Sequence, residues 1–411
     1  MSTPSPLRWR MIALAFLATM INYLDRQTLS VAAPTLRDQF HMSNEVYSRI
    51  VSAFLFAYTI MNGASGPLID RLGTRIGYGL CVAWWSIAAA LHALARGPFS
   101  LGVFRFLLGM GEAGNWPGAI KVVAEWFPES ERALACGIFN SGSAVGAIIA
   151  PPVVAYLILH SGWQTAFAAV GLVGLLWLAA WFALYHTPAS SPSTAASEGP
   201  AEPTVPALRL LRMRFVQAFT VSKIFMDPVW YFYIFWFPEY LKSTRHYNLA
   251  SIGRYSWIPF AVAGFGNILG GSLSGLLLRR GLSLTVARKS SVTVFALLMT
   301  SAIPAVLAKD TWVAIAFVSI AMLGYTGCLA NMLSFPADVF PKSTVASVYG
   351  LASMGSGFGG MLFTLITGWV IDHYSYTPVF VGFGILPLIC ATILWMWLGP
   401  LEKMTVEQLH A

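Results

Sequence analysis

The chain has 411 residues, of which 57% are hydrophobic and 14% aromatic while only 10% are charged. It is too long and too apolar for one soluble domain, which makes it an integral membrane protein. A formal net charge of +8 invites a nucleic-acid reading, but Lys and Arg sit singly or in pairs between apolar stretches and build no continuous basic face, so nucleic acid is excluded as a partner.

Windows of roughly 20 residues, the length that crosses a bilayer as a helix, pick out twelve apolar spans. The first six lie at 11–33, 48–69, 76–95, 99–124, 134–158 and 164–185, and the second six at 215–241, 252–278, 288–308, 312–337, 345–371 and 376–398. The first is not a cleavable signal peptide, because it is too long, carries Asp25 and Arg26, and has no small-residue cleavage site after it. Counting those at span ends with the adjoining segment, fourteen of the 25 Lys and Arg fall on the side of both termini, seven on the other side and four deeper within spans. That bias places both termini in the cytoplasm of a multi-pass protein of the inner (plasma) membrane. The stretch 187–213, whose first part is rich in Ser, Pro and Ala, reads as a cytoplasmic linker between an N-terminal half, 1–186, and a C-terminal half, 214–411.

An internal repeat supports the halves. Sliding the chain by 213 residues aligns 125–146 with 338–359 without a gap, and eight of the 22 pairs are identical, among them Phe127 with Phe340, Gly142 with Gly355 and Gly146 with Gly359. Both copies run from the end of one span through a short turn into the next, so the repeat is parallel in the membrane. The expected fold is an all-α membrane protein with twelve transmembrane helices in two six-helix, pseudo-symmetric halves, the architecture of an alternating-access transporter.

Asp25, Arg26, Arg105 and Glu112 all lie inside otherwise apolar spans. Each would cost about 2.5 to 3.5 kcal/mol at the centre of a lipid-facing helix, so they must face one another or a wet cavity. Arg105 and Glu112 are seven apart, two helical turns, and share a face with Gly109 and Trp116. Arg105 and Asp25 lie at similar depth, so they are expected to pair, which leaves Glu112 as the better acid to cycle a proton. Arg26 is the candidate anchor for a substrate carboxylate, because its planar fork matches a carboxylate bidentately and never deprotonates. The alternatives for Arg26 are that it snorkels outward or forms a salt bridge with Asp25 or Glu112 that only holds helices together.

The stretch Gly66-Pro-Leu-Ile-Asp70-Arg71-Leu-Gly73-Thr-Arg75 resembles the signature between the second and third helices of the major facilitator superfamily. Asn22-Tyr23-Leu24-Asp25-Arg26 and the fourth span, from Arg105 through Glu112 to Trp116-Pro117, resemble its organic anion:cation symporter branch, and the seventh span, Lys223 to Tyr233, is most similar to the bacterial hexuronate and sugar-acid proton symporters. The resemblance implies that Tyr23, Tyr58 and Arg26 contact substrate and that Asp25 and Glu112 carry protons. Asp70, Arg71 and Arg75 read as an inner gate. One departure is Ser283, which stands in the second half at the offset position of Asp70.

Other signals are weaker. Gly109-Met-Gly111-Glu-Ala-Gly114 matches a dinucleotide fingerprint, but inside an apolar helix with no preceding strand it reads as close helix packing. Gly137, Gly142, Gly146, Gly350, Gly355 and Gly359 read the same way. Lys223 and Asp227 read as a neutral pair near a helix break at Pro228, with either a structural role or one in substrate binding or gating. Asn331 and Ser334 are candidates for binding substrate hydroxyls, and Trp116, Trp230, Tyr231 and Tyr325 for stacking on a sugar face. Cys81, Cys136, Cys328 and Cys390 all lie within spans, and no loop carries a disulfide framework or a metal-ligand cluster.

The function expected is secondary active transport: proton-coupled uptake of a monovalent sugar acid, a hexuronate or aldonate, by a functional monomer in the lipid bilayer with no cofactor and the proton as coupling ion. With both acids ionised the quartet is neutral, so uptake of one anion with one proton keeps it neutral. An exchanger or uniporter for other carboxylates is the alternative on the same fold. A membrane enzyme or sensor is disfavoured, since no segment outside the spans is long enough to carry a catalytic or signalling domain.

Overall fold

A backbone that crosses lipid must satisfy its own polar groups, and this chain does so with helices. The computed structural model describes residues 7–127, 129–186, 207–340 and 342–404, and these contain no strand. In chain order the helices are α1 (Leu7–Phe40), α2 (Asn44–Leu72), α3 (Thr74–Leu91), α4 (Pro98–Glu112), α5 (Asn115–Trp126), α6 (Glu129–Leu184), α7 (Ala207–Arg212) and α8 (Arg214–Ser243). They continue with α9 (Leu249–Tyr255), α10 (Ile258–Arg279), α11 (Leu284–Met299), α12 (Ala302–Leu307), α13 (Thr311–Met332), α14 (Phe335–Val339), α15 (Lys342–His373) and α16 (Tyr376–Met396).

Twelve spans result. α6 holds two of them, divided where Gly162 takes φ 83°, a value that favours glycine. The pairs α4–α5, α9–α10, α11–α12 and α13–α14 each make one interrupted span. By length and composition, seven segments among the described residues qualify as membrane spans, while α1, α2, α4, α5 and α8 fall short. Those that fall short include the helices that carry Asp25, Arg26, Arg105, Glu112, Lys223 and Asp227. Residues 187–206 of the expected linker lie outside the described residues, and its last part is the short helix α7.

The chain divides into two compact units, Met1–Ser190 with Ile234–Trp257, and Ser191–Tyr233 with Ile258–Ala411. Their polarity is the reverse of a soluble protein's. Asp25, Arg26, Arg105, Glu112, Lys223 and Asp227 are buried, while Phe99, Leu94, Leu176, Ile268 and Leu307 are exposed, as expected of surfaces that meet lipid tails.

In the first unit α1 packs along α6, and the glycines of the repeat make this possible. A Cβ at Gly142 would lie 2.4 Å from the Phe16 carbonyl oxygen, and one at Gly146 2.4 Å from that of Met20. Ile12 and Ala15 of α1 close a core with Ala119 and Val123 of α5, then Phe127, and Ala135 and Phe139 of α6. Buried indoles use backbone acceptors: Trp177 donates to the Leu14 carbonyl at 2.8 Å and Trp181 to that of Arg75 at 2.9 Å. The last part of α8 belongs to this unit too. Glu239 accepts from Arg37 at 2.5 Å, Lys242 pairs with Asp38 and donates to the Pro34 carbonyl at 3.0 Å, and Tyr47 donates to the Phe235 carbonyl at 2.8 Å.

The second unit repeats the packing with different side chains. A Cβ at Gly355 would lie 2.6 Å from the Thr220 carbonyl oxygen and one at Gly359 2.4 Å from that of Ile224, so α8 approaches α15 as α1 approaches α6. α10 and α13 come together at Gly270, where a Cβ would meet the Gly327 carbonyl oxygen at 2.3 Å. Pro228 does not break α8, which runs continuously through it.

Two glycines of the repeat, Gly137 and Gly350, have open space where a Cβ would stand, so the expectation of close packing fails for them. Gly146→Val should therefore lower stability by at least the ~1–3 kcal/mol of an overpacked core, whereas Gly137→Ala should be neutral or stabilising by up to about 1 kcal/mol through helix propensity. Thermal unfolding of the two variants in detergent checks the contrast, and equal effects would contradict the close approach of α1 and α6.

Candidate functional site

The site in the first unit begins with a helix break. Pro117 has no N–H to give to the Ala113 carbonyl, so the ladder stops there: α4 ends at Glu112 and α5 starts at Asn115. The Ser65 hydroxyl donates to the orphaned Ala113 carbonyl at 3.2 Å. Asn115 braces the break, accepting from the Tyr78 hydroxyl at 2.8 Å and donating to the Thr19 hydroxyl at 3.1 Å. The close packing expected of Gly109, Gly111 and Gly114 is present, since a Cβ at Gly109 would lie 2.4 Å from the Phe54 carbonyl oxygen and one at Gly114 2.4 Å from Cys81 Sγ. Pro336 marks the corresponding break between α13 and α14 in the second unit.

At the last residue of α4, Glu112 Oε2 accepts from Arg26 Nε at 2.5 Å, and both side chains are almost fully buried. The guanidinium carbon of Arg26 lies 4.6 Å from the Tyr58 ring centroid, 5.3 Å from those of Tyr23 and Phe54 and 5.9 Å from that of Trp116. Four aromatic rings thus surround one cation, a setting in which ring quadrupoles offset part of its lost hydration. Arg105 lies against Phe54 at 5.4 Å and donates to the Arg26 backbone carbonyl at 2.9 Å.

The expected Arg105–Asp25 pair does not form. Arg105 caps a carbonyl of α1, Glu112 holds Arg26, and both carboxylate oxygens of buried Asp25 have no hydrogen-bond partner. Also unpartnered are the Asn22 amide, Arg26 Nη2, Arg105 Nε and Nη1, and Glu112 Oε1. Buried polar groups are nearly always paired. A cluster of unpaired donors and acceptors on α1 and α4 is therefore suited to a small polar ligand with a carboxylate and hydroxyls.

The remaining candidates fall elsewhere. The side chain of Asp70 lies outside the described residues, Arg71 is exposed, and Arg75 donates to the Phe182 carbonyl at 2.8 Å. In the second unit, Asn331 gives its amide hydrogens to the carbonyls of Gly270 and Gly327 and to Ser291 Oγ at 3.0 to 3.1 Å, and the Ser334 hydroxyl donates to the Asn331 carbonyl at 2.7 Å. Ser283, at the offset position of Asp70, caps α11 by accepting from the Val286 N–H. Lys223 and Asp227 do pair, at 2.7 Å. Two polar clusters were missed: Glu125 accepts from both Thr74 and Tyr185, and Arg288 donates to Asp338 at 3.1 Å. The repeat held their signal, since Arg75 and Arg288, like Glu125 and Asp338, stand one repeat length apart.

The family model of the Major Facilitator Superfamily matches residues 15–288 and 282–410. The chain belongs to that superfamily. It is a multi-pass membrane transporter and not an enzyme. Among relatives of this superfamily member, the hexuronate transporter of Escherichia coli (strain K12) is 33% identical over 416 residues, covering 98% of this chain and 96% of that protein. The galacturonate transporter of Dickeya chrysanthemi is 34% identical over 337 residues, covering 78% and 97%. In fold the chain is similar to a D-xylose-proton symporter, with a TM-score of 0.78 at 14% identity over 96% of this chain and 98% of that one. A bacterial homologue of the human lysosomal transporter Spinster, inward-facing and occupied, gives 0.77 at 21% identity over 96% and 97%.

The buried pair makes a stability prediction. Arg26→Met strands Glu112 as an uncompensated buried charge and should cost about 3–5 kcal/mol, much of which Arg26→Met with Glu112→Gln should recover. Thermal unfolding of the single and double variants reads this directly. A double variant no more stable than the single would mean that the two side chains are not coupled.

Proposed function

We propose that the chain imports a sugar acid, a hexuronate or close relative, together with a proton, cycling by alternating access as a functional monomer with no cofactor. The observation that carries this reading is the Arg26–Glu112 pair, enclosed by four aromatic rings and surrounded by unpartnered polar atoms on α1 and α4. The printed names of the relatives, transporters of hexuronate and of galacturonate, support a sugar acid as cargo.

The pair suggests how anion and proton are coupled. Arg26 offers one fork and Glu112 occupies part of it. A substrate carboxylate that takes the guanidinium displaces Glu112, which would then be a buried anion without its partner, at a cost of several kcal/mol. Protonation of Glu112 removes that cost and frees the arginine in the same step. Arg105 adds a second positive charge near the site. Asp25 has no ion pair to break and stands ready as a second proton acceptor. After release, loss of the proton from Glu112 restores the pair with Arg26 and resets the empty carrier.

Two measurements test this. Arg26→Lys keeps the charge but loses the planar fork, and should weaken binding of a hexuronate by about 2–5 kcal/mol, more than tenfold in Kd. Near-normal binding would reduce Arg26 to a helix pin. Glu112→Gln imitates the protonated carboxyl, so in proteoliposomes it should keep substrate binding and counterflow but lose accumulation driven by a pH gradient. If that variant still accumulates substrate with the gradient, Glu112 is not the carrier; if the unaltered protein ignores the gradient, the transporter is an exchanger or uniporter.

A further inference from the structure

The second unit holds a buried charged cluster that the reading above does not use. Lys223, Asp227 and Trp230 stand four and three residues apart on α8 and so share one helix face. Asp227 accepts from the Lys223 ammonium at 2.7 Å through one oxygen and from the Tyr325 hydroxyl of α13 at 3.1 Å through the other. The Tyr325 ring stacks on Trp230 with centroids 5.1 Å apart and planes at 15°, and Phe260 meets the same indole edge-on at 5.9 Å. Lys223, Asp227 and Tyr325 are buried, whereas Trp230 is half-buried.

A packing role alone explains this poorly. Well-packed apolar residues hold helices together at least as well as a buried ion pair, and an ionisable residue inside a membrane span is functional by default. The chemistry left over points to a ligand. A carboxylate has about four lone-pair sites, and Lys223 and Tyr325 engage only one on each oxygen. The Lys–Asp pair is neutral overall, so it suits the uncharged part of a molecule better than a second carboxylate. The indole, held flat by Tyr325 and with part of its surface accessible, offers an apolar plane beside these acceptors. Hydroxyl acceptors next to a fixed aromatic plane match a pyranose, whose C–H face is apolar and whose rim carries hydroxyls.

We propose that Lys223, Asp227, Tyr325 and Trp230 form a ring-recognition subsite in which Trp230 stacks on a pyranose and Asp227 accepts its hydroxyls. It selects closed-ring monocarboxylates over open-chain aldonates and aldarates. Lys223 and Tyr325 are positioning residues that hold Asp227 and the indole in place. The proposal rests on the sugar-acid reading above and narrows it to the ring form.

The test is equilibrium binding to the purified full-length protein with three probes: D-galacturonate as a ring monoanion, D-galactonate as an open-chain monoanion, and galactarate as an open-chain dianion. The unaltered protein should bind the ring compound most tightly. Trp230→Leu should weaken galacturonate about tenfold while galactonate changes little, and Trp230→Phe should recover most of the loss. Asp227→Asn leaves the Lys223 ammonium uncompensated and should shift preference toward galactarate. Equal weakening of both monoanions by Trp230→Leu, or an unaltered protein that does not prefer the ring, overturns the subsite and leaves the sugar-acid reading standing. Failure of the unaltered protein to bind any of the three overturns that reading itself. If Trp230→Leu does not fold, the selectivity of the unaltered protein and of Trp230→Phe decides.

Discussion

A carboxylate and a guanidinium that are both out of reach of water and of lipid headgroups are costly unless each compensates the other. Arg26 and Glu112 meet that condition with one short contact between α1 and α4, and much of the first unit is arranged around it. The helix break at Pro117 puts Glu112 at a helix end, and Asn115, tied to Tyr78 and Thr19, keeps that end against α3 and α1. Tyr23, Phe54, Tyr58 and Trp116 supply the cation with ring faces in place of water. Glycines at 109 and 114 give the backbone clearance that brings α4 onto Phe54 and the break onto Cys81.

The two units share a backbone plan and diverge in chemistry. Gly142 and Gly146 in one, Gly355 and Gly359 in the other, let a neighbouring helix come within carbonyl contact, at positions one repeat length apart. Where α1 carries Asp25 and Arg26, α8 carries Lys223 and Asp227, already paired with each other. An internally neutral pair and a pair that spans two helices respond differently to a ligand. The first can accept hydrogen bonds without changing its charge, whereas the second must exchange partners to bind an anion. That contrast makes Arg26 the better partner for an anionic group and the α8 cluster the better partner for a neutral one.

Much of this was legible in the sequence, because hydropathy reports burial in lipid and the repeat reports backbone packing. The twelve spans, the buried charges of α1 and α4 and the close-packed glycines beside Glu112 all follow from those two signals. Partner choice did not. Similar depth along two spans suggested Arg105 with Asp25, but depth leaves open the direction in which each side chain points around its helix. Arg105 points at the Arg26 carbonyl and Glu112 takes the Arg26 side chain. The same blindness hid the pairs Arg37–Glu239 and Lys242–Asp38. The break at Pro228 failed for another reason: a proline removes one hydrogen bond, and neighbours packed around a helix can hold it continuous through that loss.

The strength of the Arg26–Glu112 contact bears on how such a carrier can work. A hydrogen-bonded charge pair contributes about 1.5–3 kcal/mol net, and a competing substrate carboxylate gains a similar amount from the same guanidinium. Under the proposed function, substrate and Glu112 would therefore be close to balanced, and neither would hold Arg26 against the other by a wide margin. Near balance is what turnover requires, because a carrier that bound its anion far more tightly than its own glutamate would load and fail to release. In the proposed coupling the proton would tip the balance: one proton on Glu112 would withdraw the internal competitor, and its departure would restore it. On this reading the aromatic rings around Arg26 serve a second purpose. They would stabilise the cation during the exchange, when it has left one carboxylate and has not yet closed on the other.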